Sequence, residues 1–343
     1  MTTNAQPLQN HKAVTLWLYA CAFMVFAMMV IGAITRLTES GLSMVEWRPL
    51  IGALPPLSEE EWQRVFNLYK ASPEFEKKNF WMELDEFKTI FFWEWFHRLW
   101  GRTIGLVFAL PLVVFWIKDM IPQGYKSKFV FLLALGGAQG LMGWYMVQSG
   151  LIDQPAVSHY RLAGHLGLAF IIYGFLLWYA FSISVRTTHT ASRAFRIHLH
   201  SAALFLAITI TWGAFTAGLD AGLLYNDSFP LMGGQIVPPD FWLYDNVFKN
   251  LIENHSSVQF FHRWLAIFTV LYICSVWVHG LAKNYSFTAL HLLALMAFMQ
   301  MGLGIATILT SVNVVIAALH QAGAAILLLL LLLSIRQTKP AKT

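Results

Sequence analysis

The sequence predicts an all-α, polytopic membrane protein whose eight transmembrane helices form two tandem, pseudo-twofold-related four-helix bundles. Three observations predict it. The 343 residues are 57% apolar and only 12% charged, against roughly 25% charged in an average soluble domain. Apolar stretches long enough for a bilayer core, about 20 residues, recur near 14–34, 92–116, 129–148, 160–181, 200–219, 259–280, 288–309 and 316–335. Several short phrases occur twice, in the same order.

The repeated phrases divide the chain. Gly32-Ala33-Ile34-Thr35 with Gly41 matches Gly213-Ala214-Phe215-Thr216 with Gly222. Phe96-His97-Arg98 matches Phe261-His262-Arg263. Gln139 with Gly143 matches Gln300 with Gly304, and the run ending in His165 matches the run ending in His320. Each unit has an even number of spans, so both enter the membrane in the same direction. The expected axis then lies along the membrane normal, as in other parallel repeats. The expected boundaries are a cytoplasmic N-terminus at 1–13, an N-terminal bundle at 14–181, a cytoplasmic linker at 182–199, a C-terminal bundle at 200–335 and a cytoplasmic tail at 336–343.

The net charge of +5 does not mark a nucleic-acid binder. The excess sits in short loops: Lys118, Lys126 and Lys128; Arg186, Arg193 and Arg196; Lys283; and Arg336, Lys339 and Lys342 in the tail. All fall on one side. The opposite short loops, 149–158 and 310–315, carry no Lys or Arg. The positive-inside rule therefore puts both termini in the cytoplasm. The residues before the first span do not read as a transit peptide, so a bacterial inner membrane is expected. Cys21 and Cys274 fall in apolar segments and suggest no disulfide framework.

Two outer loops are long. In the first, 36–90, Ser58 and Glu61 form a capping-box pattern, and Trp62, Val65, Phe66 and Tyr69 recur at helical spacing. This predicts an amphipathic helix on the outer membrane face or over the bundle mouth. The second loop, about 220–257, is rich in Gly, Pro and Asp and is expected to cover the other half. The run Leu327–Leu333 reads as a lipid-facing surface.

The chemistry lies in His97, His165, His262 and His320. Each falls one to two turns from the outer end of its span, roughly 6–12 Å deep at 1.5 Å per residue. Ionisable groups in spans are costly and mark function by default. Paired imidazoles on facing helices are one way for a bundle to hold haem iron. Arg161 lies one turn outward of His165, and Arg98, Arg102 and Arg263 also sit near the outer boundary. Guanidinium forks suit propionates, while the alternative is snorkelling to headgroups. Glu94, three residues before His97, has Gln259 as its counterpart. A carboxylate beside a haem edge can carry protons during oxidation; alternatively it pairs with Arg98 or caps the boundary. The asymmetry implies that one half does chemistry while the other keeps a permanent cofactor. His198, His200, His279 and His291 lie toward the cytoplasm and are expected to face headgroups or solvent.

Glu94-Trp95-Phe96-His97-Arg98, Gly32 to Gly41, Tyr160-Arg161-Leu162-Ala163-Gly164-His165-Leu166 and Phe261-His262-Arg263 together resemble the haem A synthase family in its proteobacterial and mitochondrial form, from about residue 14 to 335. The resemblance implies an eight-helix membrane oxidase converting the C8 methyl of haem O to the formyl group of haem A, for cytochrome oxidase. It implies that His97 and His165 bind the substrate haem, that Glu94 is needed for turnover, and that His262 and His320 keep a haem B. The implied partners are haem O, the farnesyltransferase that makes it, an electron donor and the bilayer; a homo-oligomer is compatible with this, and nucleic acid is not expected. Some relatives carry a cysteine pair in the first outer loop. This chain has none there, which excludes a thiol step at that place. The competing reading, a di-haem b-type cytochrome taking electrons from quinol, needs the same four histidines but not the Glu94/Gln259 difference.

Overall fold

The computed structural model describes residues 11–46, 51–151, 155–285 and 287–340; most of the expected N-terminal stretch 1–13, part of the loop 149–158 and the end of the tail with Lys342 lie outside them. The described helices are α1 (Lys12–Leu37), α2 (Glu59–Lys70), α3 (Pro73–Lys77), α4 (Leu84–Ile117), α5 (Lys126–Gln148), α6 (His159–Ser184), α7 (Arg193–Gly218), α8 (Val247–Glu253), α9 (His255–Ala282), α10 (Thr288–Leu309) and α11 (Val314–Gln337). Eight of them, α1, α4 to α7 and α9 to α11, are long and apolar enough to cross a bilayer. The protein is a multi-pass, all-α membrane protein.

The helix ends follow local chemistry. α4 begins at Leu84, well before the apolar stretch expected from 92. Its first turn is polar: Asp85 and Glu86 suit the positive helix terminus, and the Glu86 carboxylate accepts from the Glu83 N–H at 3.1 Å. Hydropathy reads only the part of the helix that lies in lipid. In the outer loop, Ser58 Oγ accepts from the Glu61 N–H at 3.2 Å and starts α2, as its sequence predicts. The apolar face of α2 then closes on α4 through Phe66, Tyr69, Phe87 and Phe91. α2 is therefore a lid over the outer end of α4.

The same packing pairs occur in each half. α1 packs on α4 and α6, and α5 packs on α4 and α6; correspondingly, α7 packs on α9 and α11, and α10 packs on α9 and α11. The halves meet through α6 with α7, α1 with α11, and α6 with α11. Gln321 Nε2 donates to the Met29 carbonyl at 2.6 Å across this seam, and Arg36 pairs with Asp220 at 2.6 Å. On the side of the basic loops, β1 (His189–Ala191) pairs in parallel with β2 (Thr338–Pro340), fastening the tail to the linker.

The seam overturns one expectation. Leu327, Leu330 and Leu331 are buried, because α11 is held between α1, α6, α7 and α10. A leucine run does not distinguish lipid from protein interior, since both are equally apolar. The buried apolar clusters gather Trp17, Phe129 and Leu176 in one half and Phe195, Ile273, Leu290 and Leu331 in the other. These residues lie toward the basic-loop end of their helices. The four histidines lie beyond them, toward the outer end. Tight packing at one end thus fixes the helices that carry the histidines at the other.

Candidate functional site

Each histidine lies against a glycine of a neighbouring span. A Cβ at Gly32 would fall 3.6 Å from His97 Nε2, one at Gly143 3.0 Å from His165 Cε1, and one at Gly213 or Gly304 2.9 Å from Cε1 of His262 or His320. These are the glycines of the repeated phrases. Their missing side chains let an imidazole edge rest on bare backbone. Two further residues of the phrases explain themselves. Gln139 Nε2 donates to the His165 carbonyl at 3.1 Å, and Gln300 Nε2 donates to the His320 carbonyl at 2.8 Å. Glutamine and glycine, one turn apart, set the height and the closeness of the facing histidine helix.

Three of the rings carry a polar atom with no hydrogen-bond partner among the described residues. Nδ1 of His165, His262 and His320 is buried with no hydrogen bond. The backbone carbonyls of Gln139, Thr209 and Gln300, each one turn before its glycine, face these rings without meeting hydrogen-bond geometry. A buried unsatisfied polar group costs about 1–3 kcal/mol, and its recurrence at equivalent positions needs a reason.

The His262 and His320 ring centroids are 6.4 Å apart with planes crossing at 77°. Two imidazoles on opposite sides of one iron, each with a metal–nitrogen bond of about 2 Å, put their centroids about 6 Å apart. His97 and His165 lie within electrostatic range of each other. Among the described residues, no three His, Cys, Asp or Glu side chains cluster as a bare metal ion requires. Two axial imidazoles suffice when a macrocycle supplies the remaining ligands. The donor set therefore fits a porphyrin iron and not a naked cation. Filling the notch tests this: Gly213→Ala or Gly304→Ala should push the ring out of line at an overpacking cost of about 1–3 kcal/mol. The check is haem content after purification, expected to fall in the C-terminal half alone.

Glu94 and Gln259 occupy matching places with opposite polarity. Glu94, only 3% exposed, accepts from Ser43 Oγ at 2.7 Å and from the Met44 N–H at 2.6 Å, and pairs with Arg98. Three donors converge on this carboxylate. Gln259 instead donates through Nε2 to the Leu224 carbonyl at 2.7 Å. The segments they hold are equivalent: each follows the turn in which Glu39 or Asp220 adopts φ 51°.

Arg98 and Arg263, read as partners of propionates or of headgroups, both donate to backbone carbonyls of the outer loops. Arg98 donates to the Met44 carbonyl at 3.0 Å. Arg263, 2% exposed, donates to the carbonyls of Tyr225 at 2.6 Å, Leu231 at 2.8 Å and Ser228 at 3.0 Å. Each guanidinium clamps the outer loop of its own half, because that loop folds inward over the helix end and its carbonyls need donors. Arg263→Leu should cost about 3 kcal/mol, the loss of one or two charge-assisted hydrogen bonds. Thermal unfolding in detergent checks it. Arg161 remains at the outer rim, donating to the Tyr145 carbonyl at 2.7 Å with its guanidinium 3.7 Å above the Tyr145 ring centre.

Of the histidines at the basic-loop end, two meet each other and a third meets a tryptophan. His198 Nδ1 and His279 Nδ1 are 3.1 Å apart, and His291 Nδ1 accepts from Trp277 Nε1 at 3.0 Å. Ser43, Met44 and the four glycine notches are functional positions that sequence reading did not assign. The doubled GA-x-T phrase carried the signal for the notches, but it served there only as a marker of duplication.

These features define a polytopic membrane protein of eight long apolar helices, in which four histidines lie against glycines of neighbouring spans. Residues 15–332 match the family described as cytochrome oxidase assembly protein, and the chain belongs to that family. It is 48% identical to a protein of Rhodospirillum centenum named heme A synthase, over 97% of this chain and 90% of that one. It is 44% identical to a heme A synthase of Nitrosomonas eutropha, over 93% and 92% of the two chains. A Paramagnetospirillum magneticum protein of the same name is 45% identical over 94% and 92%.

Proposed function

We propose that this chain is an oxidoreductase that converts the C8 methyl group of haem O to the formyl group of haem A, in a bacterial inner membrane with both termini cytoplasmic. The observation that carries the reading is the Glu94/Gln259 difference on an otherwise repeated frame. Two halves that shared one task would keep one residue there. The N-terminal half is the reaction half. His97 and His165 hold the substrate haem by its iron, which fixes the macrocycle edge beside Glu94. Glu94, already held by three donors, carries protons to or from the reacting edge of the substrate. Arg161 is the propionate partner we retain.

In the C-terminal half, His262 and His320 hold a haem B, which supplies a one-electron carrier when bound. Gln259 keeps its outer loop closed without adding a titrating group. A pseudo-twofold along the membrane normal places the two centres side by side, and the matched helix pairs support it. Haem O reaches the N-terminal bundle from lipid, its farnesyl tail staying in the bilayer. The test is to express the chain in a host that makes haem O but no haem A, then separate the extracted porphyrins. Haem A is expected with the parent chain, and haem O alone would contradict the proposal.

A further inference from the structure

The outer lid contains a second buried acid. Glu74, in α3, is 3% exposed, and its carboxylate accepts one hydrogen bond, from Tyr69 Oη at 3.0 Å. Tyr69 is fully buried; its ring stacks on Phe87 at 5.0 Å, and its Oη accepts from Asn79 Nδ2 at 2.8 Å. A buried carboxyl with a single partner is an expensive way to pin a loop. In the second outer loop the buried groups that do this work are amides, while its pinning carboxylate, Asp240, which accepts from Tyr225 Oη and Ser256 Oγ, is exposed. Asn250 Oδ1 accepts from the Leu243 and Tyr244 N–H groups at 2.8 and 2.9 Å, and Asn254 Nδ2 donates to the Asp240 and Phe241 carbonyls at 2.8 and 2.9 Å. The half with Glu94 thus has a buried acid in its lid, and the half with Gln259 has buried amides with an exposed acid.

The lid also joins Glu94 to water. Among the described residues, Tyr69 on α2 holds the Glu74 carboxyl, and Glu94 on α4, Glu39 after α1 and Lys78 after α3 lie within electrostatic range of it. Glu39 and Lys78 pair at 3.6 Å with side chains 51% and 40% exposed. Glu39 belongs to the same turn whose Ser43 and Met44 hold Glu94. One short segment therefore borders the buried reaction acid, the buried lid acid and the outer aqueous phase.

We propose that Glu74 is a proton-relay residue acting through Glu94, taking the proton that Glu94 releases between turnovers and passing it to outer water at the Glu39–Lys78 rim. The inference rests on the role given to Glu94 above. Only a proton moves: the Glu94 carboxyl loses it, the Glu74 carboxylate takes it, and water receives it. Burial, helped by the nearby Glu94 and Glu39 charges, pushes Glu74 from 4.5 up to about 7, where a group both accepts and releases protons readily. Burial also raises the Tyr69 phenol, which keeps it a donor to Glu74. A carboxyl raised on folding stabilises the fold fully below its unfolded value and loses that contribution as pH rises through its folded value. The lid should therefore weaken between about pH 4.5 and 7.

The test has two arms. Infrared titration of the purified protein, without substrate, should show a carboxyl band titrating near neutrality that Glu74→Gln removes and Tyr69→Phe moves to higher pH, since the phenol's hydrogen bond favours the charged form. Glu74→Gln should also retain its haem yet slow haem A formation several-fold and lose the neutral inflection of the rate–pH profile, with Glu74→Asp restoring part of both. A Glu74→Gln protein with the parent's rate and profile, or a parent with no such band, overturns the relay. The parent's own haem A yield separately decides the reading of Glu94, so the two ideas fail differently.

Discussion

Replacing His262 or His320 with alanine should strip the C-terminal half of its haem and leave the N-terminal half loaded. Total haem should fall toward half, because each replacement removes one of the two axial bonds that hold that iron. The structure makes the loss specific. The His262 and His320 rings rest on different glycines, Gly213 and Gly304, so each replacement empties one notch and leaves the other as it was. Glycine at 262 should act as alanine does. Methionine, a soft ligand of similar reach, should recover partial binding with a changed spectrum. The reduced-minus-oxidised spectrum and the haem extracted per chain measure all three.

Glu94→Gln should leave both haem centres filled and lower haem A formation by about 10²–10⁴-fold, the range that a positioned general base supplies. The substitution gives the N-terminal half the residue that its counterpart already carries. The same geometry predicts why it should fold. In the C-terminal half, the amide of Gln259 donates to the Leu224 carbonyl and holds that loop. At 94 the Ser43 hydroxyl and the Met44 N–H both donate to Oε2, so the amide oxygen can take both, and the amide nitrogen then meets the Arg98 guanidinium. Product analysis should show haem O, or the alcohol, accumulating. Normal haem A formation by this variant would remove Glu94 from the chemistry.

The architecture was open to reading because bilayer thickness sets helix length, and eight apolar stretches of that length leave little choice. The positions of the histidines were legible because duplication printed them twice. The arginine of Phe-His-Arg was not. From sequence, Arg98 and Arg263 share the boundary with Arg161, and a guanidinium suits a propionate and a backbone carbonyl equally well. Only the inward fold of the outer loops, which brings Met44 and Tyr225 over the helix ends, decides what they do. Leu327 to Leu331 failed for a related reason: hydrophobicity has no sign that separates lipid from a helix seam. Glu74 was hidden because its burial depends on α2 closing over α4, a contact between segments that polar composition marks as loop.

The central claim is that facing imidazoles grip iron near the outer end of each bundle. Low-temperature electron paramagnetic resonance of the oxidised, purified protein tests it most directly for the C-terminal centre. Imidazole planes crossing at 77° predict a strongly anisotropic low-spin ferric signal that disappears in both His262→Ala and His320→Ala. A parent without this strongly anisotropic signal, or a signal of this type left undiminished by either replacement, would contradict the account.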